Sequence, residues 1–126
     1  MEYRASKAWH FSHELATEIH ELVADVVETD KVAVELARRM RRASAEAPAY
    51  IRASLRKELH HEKLACYMAA RNSLEDVHRH LKYSLKLNYI DKDYFKKLEK
   101  KAESAYRELG GIIESTEKTI AKLEVE

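Results

Sequence analysis

The sequence predicts an all-α protein: an antiparallel up-down four-helix bundle, formed as a single domain over residues 1–126. Three observations carry that expectation. Gly and Pro are scarce, two and one respectively among 126 residues, while good helix formers abound. Apolar residues recur at steps of three and four along four segments. The breaks between those segments are short, which places successive helices side by side and antiparallel.

The first helix is expected from about Ser6 to Val27, with Trp9, Ser12, Leu15, Ile19, Leu22, Val23 and Val26 on one stripe. Glu28, Thr29 and Asp30 end it, and Thr29 or Asp30 suits the N-cap of the next helix. That second helix runs from about Lys31 to Arg56, with a kink or break expected near Pro48, which lacks a backbone donor. The third spans about Lys57 to Leu87, its stripe made by Leu59, Cys66, Ala70, Leu74, Val77, Leu81 and Leu85. Asn88 to Asp91 form the next turn. The fourth helix, about Lys92 to Leu123, has the cleanest series: Phe95, Leu98, Ala102, Ala105, Leu109, Ile112, Thr116, Ile120 and Leu123. A repeat sustained that long is a bundle seam. The Gly110-Gly111 pair inside it implies a bend or a close approach.

Composition excludes several classes. Apolar residues make up 45% and charged residues 36%, too apolar for a disordered chain and too charged for a membrane one. The opening residues, Met1 to Ser6, lack the apolar stretch of a secretory signal. The single Cys66 has no internal disulfide partner and lies on an apolar stripe, as a buried thiol in a reducing, cytoplasmic setting would.

The chain carries seven histidines, which raise the question of a metal. Glu58/His61 and Glu75/His78 each have the Glu-x-x-His spacing of carboxylate-bridged di-iron bundles. Both pairs fall on one helix, about 260° apart around its axis, so they cannot converge. His61-Glu62 lacks a second histidine at position 65, which is Ala. His60 and Lys63 have the spacing of a phosphorylatable histidine, but Leu64 stands where those domains need a small residue. No Gly-rich phosphate loop exists. No catalytic residues, metal ligands or cofactors are expected, and the protein is read as no enzyme.

The arginines remain. Residues 38–57 hold seven cations, Arg38, Arg39, Arg41, Arg42, Arg52, Arg56 and Lys57, against the single acid Glu46, although the net charge is only +1. Residues 14–30 hold six acids and no Lys or Arg. Two readings follow. The cations bind nucleic-acid backbone (RNA or DNA), or they pair with the acidic stripe of the first helix, within and between subunits, and the partner is another protein. Arg38, Arg39, Arg41 and Arg42 span more than half the helix circumference, so the stripe cannot meet all of them. No aromatic ladder accompanies the cations, Tyr50 standing alone among them.

Several short segments carry a family resemblance across nearly the whole chain. An early Trp9 follows a Tyr3-containing leader, and Met40-Arg41-Arg42-Ala43-Ser44 precedes Pro48. Asn72 to Asp76 follow in the third helix, Leu87-Asn88-Tyr89-Ile90 form the turn, and Tyr94 with Leu98 open the fourth helix. In order and spacing these resemble the small four-helix-bundle proteins encoded in intervening sequences of bacterial 23S rRNA genes. They also resemble the related accessory variability (Avd-like) proteins of diversity-generating retroelements. One departure is plain: where the family reads Asn-Ile-Ala-Glu-Gly, this chain has Tyr50-Ile51-Arg52-Ala53-Ser54. The resemblance implies a homopentamer. Its retroelement branch further implies nucleic-acid binding and a reverse transcriptase partner. It supplies no catalytic residue, and only Arg41 and Arg42 fall on a matched basic position.

Overall fold

The structure, a computed structural model, describes residues 3–125; Met1 and Glu2 of the expected leader lie outside them. Four helices follow in order: α1 (Tyr3–Val23), α2 (Lys31–Ala53), α3 (His60–Lys86) and α4 (Lys92–Val125), with a 3-10 turn at Ser54–Arg56 after α2. Each helix packs against its two neighbours, α4 closing back on α1. Cross-helix contacts fix the directions. Glu14 and Glu18 of α1 meet Lys101 and Lys97 of α4. Met40 and Glu46 of α2 meet Ser84 and Ser73 of α3. Glu75 and His78 of α3 meet Tyr106 and Glu99 of α4. In each pair residue numbers rise on one helix as they fall on the other, so every neighbouring pair is antiparallel.

Most of the predicted seam residues form the core, although Leu123, expected to end the fourth seam, is exposed. Leu15, Ile19, Leu74, Val77, Leu81, Leu98, Ala105 and Leu109 are at most 2% exposed. Burying a side chain of the larger kinds contributes about 1.5–3 kcal/mol each. Five buried serines sit among them, and each donates its hydroxyl to a carbonyl three or four residues back in the chain: Ser12 to Ala8, Ser44 to Arg41, Ser54 to Ile51, Ser73 to Ala69 and Ser84 to His80. That local bond is why a hydroxyl costs little at a seam position.

Helix ends differ from the periodicity in instructive places. The first helix stops at Val23, four residues short of the expected Val27. Asp25, Glu28 and Asp30 crowd its C-terminal end, where the helix dipole disfavours anions. Asp30 caps α2 by accepting from the Ala33 amide at 3.1 Å. The α-helix does not break at Pro48. Pro48 is buried inside α2, the Ser44 carbonyl lacks its usual amide partner there, and the helix continues to Ala53. Its end comes at Ser54, and the chain is extended at Lys57 and Leu59 before α3 begins. Leu59, predicted for the third seam, is therefore a 63% exposed residue outside the helix.

The α3–α4 turn closes with Asn88 at φ 62°. The Tyr89 amide donates to the Ser84 carbonyl and the Asn88 amide to Leu85, the paired bonds of a Schellman cap. The Tyr89 hydroxyl then donates to the Asp30 carboxylate at 3.0 Å, which ties the two loops at this end of the bundle together.

Candidate nucleic-acid interface

The seven cations sit on α2 and just past its end, and the bundle sorts them by side. At 100° per residue, Glu35, Arg39 and Glu46 lie on the flank of α2 that faces α3. Arg38 and Arg42 point outward, and Arg41 and Arg52 lie on the flank that faces α1. Arg38 donates to Glu35 at 2.7 and 3.2 Å, and Arg39 donates to the same carboxylate at 2.9 Å. Those two guanidinium groups, Arg38 foremost, hold the Glu35 carboxyl down from 4.5 to about 2, and Glu35 in return raises Arg38. Arg42 bonds Glu46 at 3.2 Å, and Glu46 also accepts from Ser73 of α3. Three of the seven cations are thus matched on their own helix. Glu35 stands one turn before Arg38, just outside the stretch that reads as purely basic, which is why sequence reasoning missed it.

The other four form no ion pair among the described residues. Arg41 borders a groove between α1 and α2. Arg52 lies over the Trp9 ring, its guanidinium carbon 5.1 Å from the ring centroid. Arg56 ends the 3-10 turn and Lys57 follows it in extended backbone, at the end of the bundle. The expected pairing of the arginines with the acidic stripe of the first helix does not occur within the chain. Lys101 lies 3.4 Å from Glu14, and Glu18 lies 3.4 Å from Lys97 and 3.9 Å from Lys101. The stripe does flank the apolar seam, but a seam has two flanks: Glu14 and Glu18 fall on the one facing α4, while Glu21 borders the groove between α1 and α2 without an ion pair to Arg41. Toward α2, α1 also presents Trp9, His13, Ala16 and His20.

The histidines are dispersed. His78 bonds Glu99 at 2.6 Å between α3 and α4, while Glu75 accepts from the Tyr106 hydroxyl at 3.0 Å. His61 reaches only to 4.0 Å from Glu124. Burial pushes the His80 imidazole below the ordinary histidine range. Among the described residues no three His, Cys, Asp or Glu side chains group so as to hold a metal ion, and no helix is long and apolar enough to cross a membrane. Cys66 is buried, as expected of a structural thiol. A recess of about 270 Å³ under the α1–α2 loop is lined by Leu22, Val26, Leu36 and Met40, with Asp25, Asp30 and Ser84 its polar groups. It offers no cation and lies at the other end from Arg52, Arg56 and Lys57.

The architecture is thus a closed antiparallel four-helix bundle that displays its unmatched cations along one flank and one end. Residues 4–111 match the family model of the 23S rRNA-intervening sequence protein, and the chain belongs to that family. No curated protein matches it.

Proposed function

We propose that this protein is a non-enzymatic accessory protein that assembles with copies of itself and holds RNA or DNA by the backbone. The observation that carries the reading is the sorting of charge on α2. Glu35 and Glu46 neutralise Arg38, Arg39 and Arg42, leaving Arg41, Arg52, Arg56 and Lys57 without a carboxylate. Cations left unmatched while their neighbours are matched are available to phosphate. Fixed guanidinium groups hold phosphate oxygens in pairs. Nothing in such a set reads base identity, so the binding is general.

Self-association has separate support. Val32 and Tyr83, 54% and 52% exposed, stand on the α2–α3 side beside the mutually neutralised Glu35 and Arg39. An apolar patch rimmed by satisfied charges suits a protein contact better than a polyanion. A homopentamer is the assembly that the family resemblance implies. A ring of copies would repeat the basic flank and multiply the phosphates held. A reverse transcriptase or another protein partner would add to that surface.

The test is a titration of fluorescent RNA and DNA, single-stranded and duplex, at several salt concentrations, with light scattering for the state of assembly. Binding at micromolar protein that weakens steeply with salt supports the reading. Reversing Arg41, Arg52, Arg56 and Lys57 together to Glu should abolish it, whereas Arg38→Ala should change it little.

A further inference from the structure

Trp9 is the chain's single tryptophan, and it is half-buried on the side of α1 that faces α2. Its indole meets three partners. The His13 imidazole stacks on it with centroids 4.7 Å apart and planes at 17°. His10 tilts against it at 6.1 Å, and the Arg52 guanidinium lies over it at 5.1 Å. Trp9 covers one face of His13, so the exposure that His13 keeps falls on its other face and its edges. His13 borders a groove of about 320 Å³ between α1 and α2. Ala16 and Ala45 contribute only methyl groups to its lining, so a flat group can approach the backbone closely. Thr17 and Ser44 also line it, and both donate their hydroxyl hydrogens to carbonyls of their own helices. Thr17 is exposed, and its oxygen lone pairs are left to accept from a ligand. Arg41 is the cation of the groove and Glu21 its one acid, and His20 lines it as well.

We propose that this stack is a base platform, and that the basic flank therefore binds single-stranded nucleic acid in preference to duplex. One unstacked base lies on the free face of His13, which Trp9 braces from behind. The strand's phosphates meet Arg41 and Arg52, eleven residues apart on one flank of α2, or about 16 Å along its axis. Imidazole and guanidinium planes are established stacking surfaces for single-stranded bases, and such stacking is indifferent to sequence. A duplex keeps its bases inside and offers this groove only backbone. The inference rests on the backbone grip proposed above and adds to it a choice of strand state.

The sole tryptophan makes the platform readable. Its fluorescence is followed as the protein is titrated with a single-stranded oligonucleotide, and separately with a duplex of matched length. The single strand should perturb Trp9 emission and bind about tenfold more tightly than the duplex. His13→Ala should lose most of that preference while leaving duplex binding unchanged, and His13→Phe should restore it. His13 is exposed, so both variants should fold, which circular dichroism checks. Equal affinity of the wild type for both forms, or a single-strand affinity untouched by His13→Ala, overturns the platform and leaves the backbone grip standing. Absence of binding to either form overturns both.

Discussion

Asn88 shows how a single position reports its backbone. Its φ of 62° lies in the left-handed region that Gly and Asn tolerate best. Asn88→Ala should therefore cost about 1 kcal/mol in a denaturant melt, and Asn88→Gly close to nothing. Equal losses for the two would mean that the angle is not what selects the residue. Nearby, Asp30 serves both as the cap of α2 and as acceptor for the Tyr89 hydroxyl. Asp30→Ala should cost about 1 kcal/mol through the cap, read as a lower denaturant midpoint. Glu35 carries the charge argument. Its carboxyl sits below its unfolded value, held at about 2 by Arg38 and Arg39. The stability it lends is complete above its ordinary value of 4.5 and is lost as pH falls toward 2. A carboxyl NMR titration should find that low midpoint, and Arg38→Ala should move it up toward the ordinary glutamate range. A wild-type midpoint near 4.5 would show that the two arginines are free rather than matched.

At the scale of the element, the four seams were legible because burial enforces a period that no other residue pattern mimics over so many turns. The boundaries were legible only where a residue type marks them. Asp30 is such a mark, and so is Asn88. The start of α3 carries none: Leu59 has no side-chain oxygen to cap with, and the apolar period runs through it undisturbed. Pro48 marks no helix end. A buried proline removes one bond and crowds one carbonyl, yet packing carries the helix five residues further. The glycine pair separates on inspection. A methyl on Gly110 would meet nothing within 4 Å, whereas one on Gly111 would come within 2.6 Å of the Arg4 guanidinium. The close approach is by an arginine side chain of the neighbouring α1, not by that helix's backbone. Gly110→Ala should accordingly stabilise by about 1 kcal/mol and raise Tm by about 4 °C. Gly111→Ala should gain less, because Arg4 must move.

At the scale of the whole molecule, the basic stretch was visible in the sequence but its division was not. Charge counts along a chain carry no information about which flank of a helix meets which neighbour. Only the closed order of the bundle turns Glu14 and Glu18 toward Lys97 and Lys101, and so leaves Glu21 as the one acid of the α1–α2 groove, with no ion pair to Arg41 or Arg52. The same closure brings Trp9 and His13 beside Arg52, 43 residues away in sequence from Trp9. An aromatic partner for the cations was therefore invisible to a search along the basic stretch itself. Exposed ion pairs of the kind seen here are each worth only a few tenths of a kcal/mol. Their consequence is the distribution of charge rather than stability.

The most direct measurement is the salt dependence of oligonucleotide affinity for the wild type beside the variant Arg41→Ala. For a single strand, the log–log slope falls by about 0.7 for each phosphate contact removed. The account predicts a steep slope for the wild type, and for the variant a slope shallower by about that amount with weaker binding throughout. An affinity and slope left unchanged by the variant, or no binding at low salt, would contradict it.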